Sequence, residues 1–292
     1  MKIVLGAVQF GLDYGISNTY GKIVKHDAKQ ILKFAYDNNI GMIDTASLYG
    51  ESEDIIGKST NNKHNWKIIT KTPHFIDDCI DKLQVKQLRE SFNQSLLNLN
   101  KKYLYGLLLH SCDDLFKPNG DLLFKEMERL KSIGLINKIG VSVYNKYQID
   151  RVLDNFEIDL IQLPVNILDQ SLISDGSLVK LKKHGVEVHA RSVFLQGLLL
   201  MEENLIPSYF LPIKKNLDAV KNPVRALSLT KLELALGYVA SIDEIDKIVV
   251  GVNTLSQLQE IIKATQLKTN FEEYRNISIN NSNYTNPSLW RI

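Results

Sequence analysis

Asp44 stands where a short apolar run, Met42-Ile43, gives way to a Tyr-Gly turn that carries Tyr49. A carboxylate at the exit of a buried strand is costly unless a cation or hydrogen-bond donors meet it. Two further strand ends offer partners: Lys71 closes the run Trp66–Lys71, and His110 follows the nearly continuous apolar run Tyr103–Leu109. On neighbouring strands, Asp44, Lys71 and His110 converge with Tyr49 beside them. That group suits one chemistry. A phenol has a pKa of about 10, too high for an efficient proton donor at neutral pH. A nearby ammonium lowers it, a carboxylate holds the ammonium, and an imidazole can orient a carbonyl oxygen towards the phenol. The set can protonate a carbonyl oxygen as it becomes an alkoxide. It holds no hydride source and no metal pattern, so reduction requires a bound cofactor.

Taken singly, each residue has a plainer reading: Asp44 as a turn acid, Lys71 as a solvated strand end, Tyr49 as packing, His110 as a structural histidine. His26, His64, His74 and His184 carry only that plainer reading. The coincidence of four such residues at one rim is what favours chemistry.

The elements that must position them alternate along the chain. Strands are expected at Ile3–Gln9, Met42–Ala46, Trp66–Lys71, Tyr103–Leu109, Lys138–Val143, Leu160–Asn166, Val186–Phe194 and Lys247–Gly251. Asp27 is expected to cap a helix bearing Ile31, Leu32, Phe34 and Ala35. Ser52 is expected to cap one bearing Ile55 and Ile56. A long helix, Asp81–Leu99, places Leu83, Leu88, Phe92, Leu96 and Leu99 inward. Further helices are expected at Asp121–Ile133, Gln148–Asn155, Leu178–His184, Leu229–Ala240 and Leu255–Thr265. An excursion from Leu195 to about Val224 holds Pro207, Pro212 and Pro223, and the tail from Asn270 to Ile292 reads as polar and irregular. Eight such units in 292 residues fit a single-domain α/β fold, a (β/α)₈ TIM barrel over 1–292, for which roughly 250 residues are typical. A doubly wound sheet competes, but Gly6, Gly11 and Gly15 lack the G-x-G-x-x-G spacing.

Composition narrows the classes of partner. A hydrophobic fraction of 44%, a charged fraction of 23% and a net charge of +2 are those of an ordinary globular protein and imply no nucleic-acid partner. The apolar start is broken by Gln9 and Asp13, so it reads as a core strand rather than a membrane span or signal. Cys79 and Cys112 form neither a metal nor a disulfide pattern, as in a reducing compartment. The expectation is a cytoplasmic protein, monomeric or weakly homo-oligomeric, acting on a small carbonyl substrate.

Asp44-Thr45-Ala46-x-x-Tyr49-Gly50-x-Ser52-Glu53 resembles the signature of the aldo-keto reductase family. The resemblance continues through Thr70-Lys71-Thr72, Leu107-Leu108-Leu109-His110-Ser111 and Ile139-Gly140-Val141-Ser142. It runs on through Ile161-Gln162-x-x-Val165-Asn166, Gly197-Leu198-Leu199 and the segment from Val250-Gly251 to Glu260. It implies a (β/α)₈ barrel that binds NADPH, with NADH as the alternative, and passes hydride between the nicotinamide and a carbonyl carbon. It makes Tyr49 the general acid, Lys71 the group that lowers its pKa, Asp44 the anchor of Lys71, and His110 the residue that positions the carbonyl. It places Gln162 and Ser142 at the nicotinamide carboxamide, Ser192 and Leu195 over the pyrophosphate, and Glu260 at the adenine. Departures are Val143 for an asparagine, Arg191 for an aromatic residue that often stacks on the nicotinamide, and Gly251 and Gln257 for a cationic clamp on the 2′-phosphate. The Gly6–Gly15 and His189–Gly197 segments are similar to those of bacterial members found with surface-sugar biosynthesis, which implies a sugar-derived carbonyl. Tyr14, Phe75 and Trp290 are candidates to line the pocket, with simple packing at least as good a reading of each. The rival readings are a cofactor-binding sensor or scaffold with little catalysis, and a lyase using Lys71 as a Schiff base.

Overall fold

The computed structural model describes residues 1–60, 64–266, 274 and 277–292. Eight parallel strands close into a barrel in chain order. They are β1 Ile3–Gly6, β2 Met42–Asp44, β3 Lys67–Lys71, β4 Leu104–Leu109, β5 Ile136–Ser142, β6 Leu160–Pro164, β7 Glu187–Arg191 and β8 Lys247–Gly251. The ring closes where β1 pairs with β8, Leu5 opposite Val250 and Gly6 opposite Gly251. The helices that follow them are α1 Lys25–Asp37, α2 Ser52–Ser59, α3 Lys82–Asn98, α4 Asp121–Ser132, α5 Lys146–Asn155, α6 Ser177–Lys183, α7 Lys231–Ala240 and α8 Leu255–Ala264. Parallel neighbours require such crossovers, and each amphipathic helix buries its apolar stripe on the outside of the sheet.

The period of two along each strand sorts the apolar residues into two sets. Leu5, Ile43, Ile68, Leu107 and Ile161 face the helices within the large outer core. Their neighbours Val4, Met42, Ile69, Leu108 and Leu160 form a separate cluster that fills the barrel interior. Each such fully buried side chain stabilises the fold by roughly 1.5–3 kcal/mol. Below that layer the barrel is closed by polar groups: Tyr105 Oη donates to Glu187 at 2.7 Å, Lys138 also bonds Glu187, and His189 Nε2 lies 2.7 Å from the same carboxylate.

Several boundaries differ from expectation. β1 ends at Gly6, and Val8–Gly11 is a helical turn. β7 stops at Arg191 because Ser192 turns left-handed, at φ +60°. Asp27 lies inside the first turn of α1, whose N-cap Val24 makes no side-chain cap. Ser52 is likewise the first residue of α2 rather than its cap, since its hydroxyl reaches across the fold instead of back to its own helix. Leu83 is 65% exposed. The buried stripe of α3 runs Gln84, Leu88, Phe92, Ser95 and then Leu99 beyond its end, which leaves Leu83 about 100° off it. The excursion after β7 folds into short helical turns, Leu195–Leu200, Ser208–Ile213, Lys214–Ala219 and Lys221–Ala226. Of the tail, 270–273, 275 and 276 lie outside the described residues, while Trp290 packs edge-on against Phe210 at 4.9 Å between ring centroids. Among the described residues no helix is long and apolar enough to cross a membrane.

Candidate active site

Two residues beyond an interior apolar residue, a strand presents its next inward position. Val4 leads to Gly6, Met42 to Asp44, Ile69 to Lys71, Leu108 to His110, Leu160 to Gln162 and Val249 to Gly251. With Ser142 from β5 and Arg191 from β7, these make a layer at the C-terminal rim of the barrel, where barrels of this kind build their sites. The polar layer is therefore a geometric continuation of the interior core.

The centre of the layer is a buried ion pair. Lys71 Nζ donates to Asp44 Oδ2 at 2.7 Å and to the Thr45 carbonyl at 2.9 Å, and both side chains are almost wholly enclosed. Gln162 Nε2 donates to the other Asp44 oxygen. Lys71 Nζ lies 5.2 Å from the Tyr49 ring centroid, and the Tyr49 and His110 rings meet edge to face at 5.9 Å. Asp44, Tyr49, Lys71 and His110 are thus brought together.

The turn that holds Tyr49 is fixed by its surroundings. Gly50 has φ +54°, and a Cβ on Gly11 would come within 1.7 Å of the Tyr49 carbonyl, so only glycine lets the loop after β1 lie against this turn. Ser52 Oγ donates to the Ala7 carbonyl at 2.7 Å and lies 3.0 Å from Thr45 Oγ1, while Thr70 Oγ1 donates to Glu53 at 2.6 Å. Those bonds tie β1, β2, β3 and α2 together beneath the tyrosine.

Electrostatics assign the protons. Burial works against the Lys71 ammonium, but Asp44 and then Tyr49 outweigh it and hold its pKa above the ordinary lysine value. A permanently protonated Lys71 is unsuited to Schiff-base chemistry, which needs a free amine. Burial, with the charge of Lys71 behind it, depresses His110 from 6.5 to about 3. His110 is therefore a neutral imidazole throughout the physiological range. Its backbone N–H donates to Thr72 Oγ1 at 3.2 Å, and its buried Nδ1 has no protein partner among the described residues.

A stability consequence follows from the sign of that shift. The folded value lies below the unfolded one, so the unfolded chain binds the extra proton between the two. The contribution is fully present above about 6.5 and is lost as the pH falls towards about 3. Urea unfolding at several pH values should show wild-type stability falling below pH 6.5, and His110→Gln should flatten that slope. An unchanged slope would mean that His110 titrates normally.

From the catalytic set a cleft runs across the rim, enclosing about 1270 Å³ of space with open solvent included. Its lining includes Tyr14, Asp44, Tyr49, Arg191, Ser192, Gly251, Gln257 and Glu260. The wall after β7 is strained: Ser192, Leu195 and Gln196 are left-handed without being glycine, a conformation that costs of order 1–3 kcal/mol each and clusters at ligand clamps. Asn166 Nδ2 holds the Ser192 carbonyl at 3.2 Å. Buried acceptors without protein partners among the described residues include Gln9 Oε1 and Asn253 Oδ1, on residues that line the cleft, and Gln162 Oε1 in the rim layer beside Asp44. Gln162 Oε1 suits an amide N–H₂ such as the carboxamide of nicotinamide, with Ser142 opposite Gln162 in register. The residues present fit an extended nicotinamide dinucleotide.

Some placements depart from the sequence reading. Leu195 is fully buried and does not line the cleft, although its neighbours Phe194 and Gln196 do. Gln257 Oε1 accepts from the Asn253 backbone N–H at 2.7 Å and is folded back on its own loop. Phe75 is in the core and Trp290 packs on Phe210, so of the three pocket candidates only Tyr14 lines the cleft. His74, given a structural reading from the sequence, stacks on His110 at 4.7 Å, and Tyr144, which the sequence did not single out, has its ring 4.3 Å from the Arg191 guanidinium carbon. Both sit just past strand ends whose polar residues had been singled out, and that adjacency is the signal that could have found them.

Comparisons with known proteins bear on the family and the fold. A sequence model described as the Aldo/keto reductase family matches residues 2–281. The chain is 25% identical over 290 residues to L-galactose dehydrogenase of Arabidopsis thaliana, covering 91% of this chain and 86% of that one. It is 28% identical over 123 residues to D-arabinose 1-dehydrogenase of Saccharomyces cerevisiae, covering 40% and 36%. The solved holo form of an aldo-keto reductase from Bacillus halodurans superposes with a TM-score of 0.74 at 21% identity, covering 94% of this chain and 90% of that one.

Proposed function

The chain belongs to the aldo/keto reductase family of NAD(P)-dependent oxidoreductases, and on that premise we propose that it reduces a sugar-derived aldehyde or ketone to an alcohol. The observation that carries the reading is the buried Lys71–Asp44 pair at the foot of Tyr49. The bound nicotinamide supplies the hydride. Tyr49 Oη gives its proton to the carbonyl oxygen, Lys71 eases the loss of that proton, Asp44 fixes Lys71, and neutral His110 orients the oxygen by hydrogen bonding. Among the relatives, L-galactose dehydrogenase and D-arabinose 1-dehydrogenase are sugar dehydrogenases by name, which supports a sugar-like substrate, while prostaglandin F synthases 1 and 2 of Bos taurus match as well. The test is loss of reduced-nicotinamide absorbance with a panel of aldoses, ketoses and simple aldehydes. Turnover with a sugar carbonyl supports the reading, and inertness towards the whole panel would sink it.

We further infer that NADH is preferred to NADPH. Among the described residues lining the cleft, Arg191 at the catalytic end is the one cation, and the far end brings Gly251, Asn253, Gln257 and Glu260. A 2′-phosphate prefers an Arg fork, whereas a carboxylate suits a ribose hydroxyl. Fluorescence titration should give a lower Kd for NADH, and Gln257→Arg should improve NADPH binding by about tenfold or more, since a charge-assisted bond contributes roughly 1.5–3 kcal/mol. Tighter NADPH binding by the wild-type protein would overturn the preference.

A further inference from the structure

Arg191 carries a charge for which the proton-transfer set has no use. It belongs to the rim layer, one position before the left-handed Ser192, and lines the cleft together with Asp44 and Tyr49. Its hydrogen bonds go to uncharged acceptors: Nη2 donates to the Val143 carbonyl at 3.1 Å and Nη1 to Ser192 Oγ at 3.3 Å. Its guanidinium carbon sits 4.3 Å from the Tyr144 ring centroid, so that ring covers one side of it. The group is pinned, and its charge reaches Tyr14, Lys71, His110 and Asp169.

Hydride must reach a carbonyl held at Tyr49, so a dinucleotide bound here would bring its redox ring to the Tyr49 end of the cleft, whose wall includes Arg191. We propose that Arg191 discriminates between the two oxidation states of the nicotinamide, disfavouring the oxidised ring. The inference rests on the dinucleotide reading given above. The oxidised ring is a cation and the reduced ring is neutral. An aromatic side chain here would attract the oxidised ring through its π face. A guanidinium, permanently charged in proteins, repels it. The sign of the interaction is therefore inverted by this substitution, while a flat surface for stacking is kept. Pinning is essential to the effect, because a lysine's flexible stem could carry its charge aside.

The consequence for turnover is directional. Reduced cofactor is retained and oxidised cofactor is expelled, so product release is favoured in the reducing direction. The same repulsion opposes hydride departure, because the ring gains positive charge as hydride leaves. Arg191 thus trades some speed in the chemical step for faster discharge of the oxidised product.

The test is equilibrium titration of the full chain with NAD⁺ and with NADH, followed by ligand-induced fluorescence change. In wild type, Kd for NAD⁺ should exceed Kd for NADH, and Arg191→Gln should lower that ratio by about tenfold. Arg191→Tyr should lower it further, and Arg191→Lys should keep part of it. NADH binding by each variant confirms that it has folded. A ratio unchanged in Arg191→Gln would overturn the inference while leaving the dinucleotide reading intact. So would an unchanged ratio together with loss of small-carboxylate binding to the NADH complex, which would assign Arg191 to an anionic substrate group. Failure of the wild-type protein to bind either nucleotide would overturn both readings.

Discussion

Tyr49→Phe should lower kcat by about a thousandfold and leave the Kd for reduced nicotinamide within about twofold. General acid catalysis contributes typically 10²–10⁴-fold, and this substitution removes only the hydroxyl. The ring stays to meet Lys71 Nζ at its face and His110 at its edge, so the surrounding geometry is preserved. Tyr49 is half-buried at the mouth of the site, and replacing it leaves no unpaired buried charge. The Asp44–Lys71–Gln162 bonds beneath it do not involve the phenol, and the residues that line the rest of the cleft are untouched. Cofactor binding and thermal stability should thus be near normal while proton delivery fails. Steady-state rates and a cofactor titration on the same preparation separate the two effects. If kcat falls by less than about threefold, another group delivers the proton. Tyr14, which lines the same cleft, would be the next to replace.

The barrel was legible because its signals are local and repeated. Each strand pairs a run of apolar residues with a nearby helix, and the inner positions Val4, Met42, Ile69, Leu108 and Leu160 recur two residues before a glycine or a polar side chain. That rhythm is why Asp44, Lys71, His110 and Gln162 could be picked out from strand ends alone. What was hidden lies in contacts between distant segments. Ser52 looked like a helix cap because its sequence neighbours fit one, but its hydroxyl is taken by Ala7, on a segment no local pattern connects to it. The Arg191–Tyr144 stack joins the ends of β7 and β5, and its existence depends on the barrel having closed. Phe75 and Trp290 stayed open between pocket and packing for a similar reason: loop aromatics carry no period, so nothing in the chain says whether they face the pocket or the core. The left-handed run after β7 was equally unreadable, since Ser192, Leu195 and Gln196 are not residues that announce positive φ.

Lys71→Met should abolish turnover as fully as Tyr49→Phe, and unlike it should also destabilise the fold. Without the ammonium no neighbouring cation favours loss of the phenol proton, so proton delivery at neutral pH fails. Asp44, only 4% exposed, would retain Gln162 as a donor but lose its counter-charge. Removing one partner of a buried pair costs about 3–5 kcal/mol. At roughly 2–4 °C per kcal/mol for chains near this size, Tm should fall by about 10 °C. In this variant Asp44 is left buried without the cation it pairs with. Adding Asp44→Asn removes the second charge, and a neutral amide can still accept from Gln162. The double variant should recover most of the lost stability at pH 7 and none of the turnover. Urea unfolding at pH 7, paired with steady-state rates, reads both effects. Wild-type stability in Lys71→Met would contradict the buried charge pair. Recovered turnover in the double variant would contradict the role of Lys71 in proton delivery, because the one thing that variant cannot restore is a cation beside the phenol.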